Sequence, residues 1–159
     1  MSASLVFKLV PIGSVVSWSD GTPRPPERHR KKLAAWKTRN SSGRLIRKQP
    51  TQTRGTYTAL DCFNIHEGDH GSNGTIVLRV FRTFDVEACS LSFAVVERPA
   101  IGSVRIFDRA GEGAELVYVA PDRLSAERWL TSHRHPHALL EDVTADESAA
   151  DVVEGRTAA

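Results

Sequence analysis

A zinc-protease sequence motif lies near the middle of the chain. The segment His66-Glu67-Gly68-Asp69-His70 matches HExxH, in which two histidines bind zinc and the glutamate acts on the bound water. That chemistry requires a helix, because only a helix brings positions i and i+4 to one face. Gly68 and Asp69 are poor helix formers, and residues 71–74 are Gly-Ser-Asn-Gly, which favours a turn. We therefore predict a polar surface loop between two strands, with no metal bound.

The other candidate catalytic and metal-binding residues also lack the neighbouring residues that their chemistry requires. His133, His135 and His137 alternate beside Pro136, and we expect a solvated helix end there rather than a metal site. No serine or cysteine lies in a Gly-x-Ser-x-Gly turn, and Gly111-Glu112-Gly113 is shorter than a glycine-rich phosphate loop. The sequence predicts no catalytic residue and no cofactor. An enzyme of unknown type remains a third alternative, because catalytic residues need not be adjacent in sequence.

Charge is divided unevenly along the chain. Residues 1–54 contain twelve Lys and Arg against two Asp and Glu, a net charge of +10, whereas residues 55–159 contain nine against seventeen, a net charge of −8. Every lysine lies at or before Lys48, and the stretch from Arg28 to Arg54 holds ten cationic residues and no acid. Such a stretch predicts a basic surface with an anionic partner.

Nucleic acid is the partner that this stretch favours. Lysine and arginine side chains neutralise phosphates and give a salt-dependent affinity, and Trp36 and Tyr57 could supply stacking surfaces for a single strand. We predict a non-enzymatic accessory or regulatory protein that contacts DNA or RNA through residues 28–54. The candidate contact residues are Arg28, Arg30, Lys31, Lys32, Trp36, Lys37, Arg39, Arg44, Arg47 and Lys48. The alternative is a protein–protein adaptor or inhibitor whose basic patch binds an acidic protein.

Alternating apolar residues predict most of the strands. Leu5, Phe7 and Leu9 alternate before a break at 11–13, and the pattern resumes after it, so residues 4–18 predict strand, turn, strand. Further strands are predicted at 55–65, 74–84, 87–97, 103–107 and 115–120, the last two as a hairpin. Alternation with one wet face and short connections indicates an antiparallel sheet of about five or six strands.

Residues 27–48 are compatible with two structures. As a helix beginning after Pro26, the segment places His29, Leu33 and Trp36 on a narrow apolar stripe. A shared basic face then contains Arg28, Lys31, Lys32 and Arg39. As a hairpin, its two halves would pair across Asn40-Ser41-Ser42-Gly43. We favour an N-terminal basic helix followed by a turn and a short strand.

A C-terminal helix and an acidic tail complete the predicted α+β fold. Asp122 follows Pro121 and can accept hydrogen bonds from the first free N–H groups of a helix, and that helix should end before Pro136. Residues 143–159 are rich in Ala, Asp and Glu with little to bury, which predicts a disordered acidic tail. We therefore expect a single α+β domain over residues 1–142.

The sequence gives no sign of a membrane span. Apolar runs are short, as at Leu116–Ala120, and Lys8 and Pro11 interrupt the apolar N-terminus, whereas a spanning helix needs about 20 apolar residues. Cys62 and Cys89 form no CxxC pair, so buried free thiols are expected, or a disulfide if their strands are neighbours. These features predict a cytoplasmic protein that does not contact a membrane.

Overall fold

The computed structural model describes residues 1–72 and 75–145 of the 159-residue chain, as a mixture of helices and antiparallel strands. The helices of this part are α1 (Ala3–Leu9), α2 (Arg30–Arg39) and α3 (Arg123–Ser132). Its strands are β1 (Val15–Ser19), β2 (Ser41–Gln49), β3 (Gln52–Arg54), β4 (Tyr57–Ala59), β5 (Cys62–Ser72), β6 (Thr75–Asp85), β7 (Ser92–Glu97), β8 (Val104–Phe107), β9 (Leu116–Ala120) and β10 (Leu139–Asp142). The predicted α+β class is confirmed.

The larger sheet contains five antiparallel strands in the order β6-β5-β2-β1-β7. One face of it is aromatic. The ring centroids of neighbouring side chains lie 5.2–5.6 Å apart among Trp18, Phe63, Phe84 and Phe93. Side chains alternate between the two faces of a strand, so each strand contributes its apolar set to this side. Val6 of α1 is buried in the same core, which places the first helix over the aromatic face.

The strand predicted at the start of the chain is wrong, because residues 3–9 form a helix. Ser2 is its N-cap, and the Ser2 Oγ accepts a hydrogen bond from the backbone N–H of Leu5 at 3.4 Å. Ala3, Val6 and Val10 are buried, a spacing of three and four residues that belongs to one helical face. Leu5 is 42 % exposed. The alternation of Leu5, Phe7 and Leu9 is typical of a strand, but the residues that become buried, Ala3, Val6 and Val10, follow the spacing of a helix.

A smaller antiparallel sheet, in the order β10-β8-β9, packs against α3. The predicted hairpin at 103–107 and 115–120 is confirmed as β8 and β9, although it belongs to this separate sheet and β10 was not predicted. The C-terminal helix is also confirmed. Asp122 is its N-cap and accepts a hydrogen bond from the backbone N–H of Ser125 at 2.7 Å. Ala126 is the side chain of α3 that is buried against the sheet.

The segment His66–His70 is not a loop, since it lies wholly within β5. Its partner β6 contains strong strand formers such as Val80 and Phe81 and pairs with β5 along its length, which outweighs the weak strand preference of Gly68 and Asp69. β2 pairs with β5 only from Cys62 to His66. The remainder of the β5–β6 hairpin therefore extends beyond the body of the sheet.

β2 begins two residues after the end of α2. The alternative hairpin across residues 40–43 is therefore absent, and the short strand expected after the helix and a turn is instead a nine-residue strand that includes those residues. Gly43 lies inside the strand, where a β-carbon would collide with the backbone oxygen of His66 and the side chain of Ile65 on β5. Glycine at this position lets two backbones approach more closely than any other residue would allow. The chain is therefore extended directly from the end of the helix.

Cys62 and Cys89 are free thiols, and both are half-buried. Burial, followed by the charge of Asp85, raises the pKa of the Cys62 thiol, which keeps the thiol protonated near neutral pH. Among the helices of residues 1–72 and 75–145, none is long and apolar enough to cross a membrane.

Val143 anchors the end of the last described segment. Its side chain is 4 % exposed, its N–H donates to the backbone oxygen of Ser103, and its carbonyl accepts from the N–H of Gly102, both at 2.9 Å. The tail predicted for residues 143–159 thus begins with a packed residue. From residue 146 onward that prediction lies outside the described residues.

Truncation should separate this anchor from the residues that follow it. A chain ending at Ala145 keeps Val143 and should melt within about 2 °C of the full-length protein. A chain ending at Asp142 loses a buried valine worth about 1.5–3 kcal/mol and should melt about 3–10 °C lower. Thermal unfolding followed by circular dichroism measures both. An equally large decrease for the longer truncation product would mean that the tail itself is docked.

Candidate functional site

α2 is held by hydrogen bonds rather than by a buried apolar face. None of its residues is buried. The indole Nε1 of Trp36 donates to the backbone oxygen of Thr22 at 2.9 Å, and that of Trp18 donates to the backbone oxygen of Thr38 at 3.3 Å. Leu33 and Trp36 are half-buried. The helix therefore lies on the surface. The hydrogen bond from Trp36 to Thr22 holds it against the connector that precedes it, residues 20–29.

Asn40, directly after α2, joins the helix to the end of β1. Its Nδ2 donates to Asp20 Oδ1 at 2.9 Å and to the backbone oxygen of Trp36 at 3.0 Å. Its Oδ1 accepts from Ser19 Oγ at 2.6 Å and from the backbone N–H of Asp20 at 3.3 Å. The side-chain hydrogen bonds from Thr22 and then Asn40 lower the pKa of Asp20 to about 2. This network contains an ionised carboxylate and uses the full hydrogen-bonding capacity of the amide.

The cationic side chains of α2 face solvent. Four of them are exposed and make no ion pair or hydrogen bond to any described residue: Arg30, Lys31, Lys32 and Lys37. Arg39 lies 4.0 Å from Asp20, and the Nε of Arg28, before the helix, is 3.3 Å from His29 Nε2. The helix therefore presents positive charge that the described part of the fold leaves largely uncompensated.

The first turn of α2 is electrostatically unfavourable by itself. It has no side-chain cap and no acid, and it contains Arg30, Lys31 and Lys32. A helix N-terminus carries about half a positive elementary charge, and an acid there is stabilising by roughly 0.3–1 kcal/mol, so a cation is opposed by a similar effect. The backbone N–H groups of the first turn, which have no partner within the helix, also present positive partial charge at this end. This end of α2 would therefore be stabilised by a bound anion.

The structure separates the predicted contact residues of β2 from those of α2. Arg44 Nη1 donates to the backbone oxygen of Gly13 at 2.5 Å, and Arg47 is half-buried, with an Nε that is buried and has no hydrogen-bond partner among the described residues. Lys48 is also half-buried. These three cations lie within the body of the sheet and do not extend the exposed surface of α2. Tyr57, by contrast, is 69 % exposed.

A cavity of about 260 Å³ lies between the two sheets, with a charged cluster on one wall. In a regular strand, residues i and i+3 point to opposite faces. The register shift between His66 and Gly68 inserts one residue, so His66 and Asp69 share a face. His66 Nε2 is 2.8 Å from Asp69 Oδ1, and Arg79 Nε donates to the same oxygen at 3.1 Å.

Asp69 is the centre of this cluster. Burial acts to raise the pKa of Asp69, but the hydrogen bonds from His66 and Arg79 outweigh it and lower the pKa overall. The ionised carboxylate therefore orients the imidazole and the guanidinium together. Within residues 1–72 and 75–145, no group of three or more His, Cys, Asp or Glu side chains is placed to hold a metal ion.

The opposite wall of the cavity is formed by β9 and was not predicted as part of any site. Tyr118 lines the cavity and stacks on Trp129 of α3, with ring centroids 5.0 Å apart and planes inclined by 4°. His133 stacks on the same indole at 4.0 Å, and His135 at 5.4 Å. Two of the three histidines expected at a solvated helix end therefore pack on an aromatic ring.

Comparison with known proteins places the chain in a family. Residues 1–147 match the family model described as "Uncharacterised conserved protein UCP036055", and the chain belongs to this family. The match includes α2, the five-stranded and three-stranded sheets and α3. No curated protein and no solved structure matches the chain.

Replacing Asn40 should loosen α2 selectively. Asn40→Ala removes four hydrogen bonds at a half-buried site and should lower the free energy of unfolding by about 1–3 kcal/mol. Amide hydrogen exchange should accelerate in α2 more than in β5, because the helix has no buried face to hold it.

A matched control is Thr38→Ala, which removes one exposed hydrogen bond within the same helix, from Thr38 Oγ1 to the backbone oxygen of Ala34 at 3.1 Å. It should change stability by no more than about 0.5 kcal/mol. Equal acceleration of exchange in α2 by both variants would contradict the anchoring role of Asn40.

Proposed function

We propose that this protein is a non-enzymatic accessory or regulatory factor that contacts nucleic acid through its basic segment, residues 28–54, with α2 as the principal contact. The observation that carries the proposal is the first turn of α2. It combines three cations, no acid and no cap at the end of a helix that already favours anions. A backbone phosphate placed there would satisfy both the lysines and the free N–H groups.

The position of α2 supports the same function. Its half-buried residues, Leu33 and Trp36, are on the side that meets the preceding connector, and the exposed cations lie around the rest of the helix, interspersed with the small residues Ala34, Ala35 and Thr38. A helix turns by 100° per residue, which places Lys31 about 140°, Lys32 about 40° and Arg39 about 60° from Trp36 in one direction around the axis, and Lys37 about 100° from it in the other. Lys31, Lys32 and Arg39 therefore share an arc of about 100°, and an extended polyanion lying along that side could contact these cations together.

A cation-rich helix would also suit an acidic protein partner, and this is the alternative that the experiment below distinguishes. A cytoplasmic location is part of the proposal, and the free thiols of Cys62 and Cys89 are in keeping with a reducing compartment.

Removal of the lysine charges of α2 should weaken binding to all sequences alike. The triple variant Lys31→Gln, Lys32→Gln and Lys37→Gln should flatten the slope of log affinity against log salt by about 2–3, because each lost phosphate contact contributes roughly 0.7–0.9. Fluorescence anisotropy with single- and double-stranded DNA and RNA over a range of salt concentrations measures the slope.

The charge-matched control is the triple variant Arg109→Gln, Arg123→Gln and Arg128→Gln, whose exposed side chains lie far from α2 in the sequence. It lowers the net charge equally and should leave the salt slope unchanged. If wild-type protein binds none of the nucleic acids at low salt, the proposal fails. The acidic-protein alternative then requires a discrete complex in a pull-down that survives nuclease treatment.

A single charge reversal should separate helix stability from binding. Lys31→Glu introduces an acid in the first turn and should stabilise α2 by about 0.3–1 kcal/mol, seen as slower amide exchange, while nucleic-acid affinity falls. Lys37→Glu makes the same charge change near the C-terminus, where it should destabilise the helix and also weaken binding. Unchanged affinity in Lys31→Glu would contradict a phosphate contact at this end of α2.

A further inference from the structure

β9 forms one edge of the smaller sheet. Within the part of the chain that the structure describes, it pairs with β8 alone. Ser103, just before β8, directs its carbonyl to the N–H of Val143. Backbone groups alternate in direction along a strand, so those of Arg105 also face β10. Because Arg105 lies opposite Val119, the N–H and carbonyl of Val119 point away from β8, towards the free edge.

The cavity between the two sheets lies along this edge. Its lining includes four consecutive residues of β9, from Leu116 to Val119. Side chains of neighbouring residues in a strand point to opposite faces, so four residues in a row border one hollow through their backbone edge. The ring of Tyr118 stacks on Trp129 over the α3 face of the sheet, and this residue borders the cavity with its backbone. The free backbone groups of β9 therefore open into the cavity.

The composition of β9 leaves this edge without the usual protection. Soluble proteins commonly protect an exposed edge strand with a charge, a proline or a covering segment. The other edge strands of the five- and three-stranded sheets contain charges, since β6 contains Arg79, β7 ends at Glu97 and β10 contains Glu141. β9 reads Leu-Val-Tyr-Val-Ala, with neither a charge nor a proline. An edge of this kind beside an open cavity is suited to pairing with an added strand.

The wall that faces this edge has a net positive charge. Asp69 accepts from Arg79 Nε at 3.1 Å and lies 2.8 Å from His66 Nε2, and Arg44 lines the same cavity. Two guanidinium groups face one carboxylate, whether or not His66 is protonated. A strand added at β9 would direct every second side chain towards this wall. An acidic side chain at such a position would be attracted to the two arginines, whereas a basic one would be repelled.

An exposed aromatic side chain continues the same wall. Phe81 of β6 lies opposite His66, so the two side chains share a face of the larger sheet. The smaller sheet covers that face at Ile46 but ends at β9, and Phe81 is 56 % exposed. A strand added at β9 would extend the cover towards β6. An apolar residue beside the acid, on the inner side of that strand, would then bury part of the Phe81 ring.

We propose that the edge of β9 binds an extended acidic segment of a partner protein, which pairs with the backbone of Val119 and places a carboxylate at Arg44 and Arg79. A second copy of this chain fits less well, because Leu116–Ala120 carries no charge to meet the guanidinium groups. The site is separate from α2, and the proposal does not depend on the function proposed for that helix.

Fluorescence anisotropy of the full-length protein with a labelled, acetylated peptide tests the proposal. The probe is Val-Thr-Glu-Thr-Val-Thr, which alternates as a strand does and places one acid between two valines on one face. It should bind more tightly than the same peptide with glutamine or lysine in place of glutamate. Arg79→Gln should weaken binding of the glutamate peptide about two- to fivefold, the range of a partly exposed ion pair, and should leave the glutamine peptide unaffected.

The charge-matched control is Arg123→Gln, which removes an exposed arginine that also pairs with a carboxylate, Glu127, outside the cavity. It should bind the glutamate peptide as the wild type does. The lysine triple variant of α2 should also keep peptide binding, so failure of the α2 proposal is distinguishable from failure of this one.

Pairing at an edge has a signature with a period of two residues. N-methylation of the peptide at its valine and glutamate positions removes the N–H groups on one side of the strand, and N-methylation at its threonines removes those on the other side. Only one row of N–H groups can face β9. One modified peptide should therefore bind about tenfold or more weakly, and the other should bind nearly as the parent does. Antiparallel pairing with Val119 makes the valine and glutamate row the sensitive one.

Proline at Val119 tests the same hydrogen bond from the side of the protein. Val119→Pro removes the N–H that points to the edge, and it should weaken peptide binding about tenfold. The matched control is Leu140→Pro, because the N–H of Leu140 points away from β8 at the opposite edge of the same sheet. Both variants lose a half-buried side chain, and Leu140→Pro should bind the peptide as the wild type does.

Four results would overturn the proposal. The first is no binding of the glutamate peptide at low salt and millimolar protein, and the second is equal affinity for the glutamate, glutamine and lysine peptides. The third is an equal effect of the two N-methylation patterns, which would mean that no backbone pairing occurs. The fourth is an edge that is already occupied. Binding at least tenfold tighter to a chain ending at Ala145 would assign the edge to residues 146–159, and a dimer that Val119→Pro dissociates would assign it to a second copy.

Discussion

The smaller sheet packs on the larger one at β2, which is buried on both faces at two adjacent residues. Leu45 belongs to the aromatic core beneath α1, and the next residue, Ile46, belongs to a second core with Phe107 and Leu116. Burying such a side chain is worth about 1.5–3 kcal/mol, and here adjacent residues are buried in different cores. A register shift between Leu45 and Arg47 accompanies this change. The packing of the smaller sheet on the larger one therefore depends on the local geometry of β2.

The same strand relates the two candidate sites. α2 ends at Arg39, just before β2 begins, and Arg44 lies on β2 at the cavity. Five extended residues span about 17 Å, which exceeds the Debye length of about 8 Å at physiological salt. The α2 cations therefore contribute little to the field inside the cavity. Substitutions at such a separation are normally additive, so any coupling between the sites would have to come from one ligand that touches both.

Local signals in the sequence were enough to predict some of the helices and strands. Asp122 indicated the start of α3 because a capping carboxylate and the backbone N–H that donates to it lie three residues apart. The β8–β9 hairpin followed from two short apolar runs around a turn. The first helix was missed because Leu5, Phe7 and Leu9 satisfy a period of two, while the residues that become buried satisfy a helical one. Only the sheet beneath α1 selects between these two patterns.

The strand at His66–His70 was missed for a related reason. Gly68 and Asp69 favour a turn by themselves, and the pairing partner that overrides this preference is β6. The contact between His66 and Asp69 is even harder to predict from the sequence. Residues three apart in a regular strand point to opposite faces, and only the register shift brings these two to the same face. Tyr118 joins the same cavity only because the second sheet packs on the first.

This difference between local and non-local signals follows from how the two candidate sites are built. A polymer with a phosphate on every residue can be held by a row of cations on a solvent-exposed helix, with no cavity. Such a row is consecutive in the chain, so composition alone reveals it. A binding cavity needs groups that converge from several directions, and here they come from β2, β5, β6 and β9. The chemistry of that cavity is therefore a property of the fold, and it becomes visible only when the register of β5 and the packing of the two sheets are known.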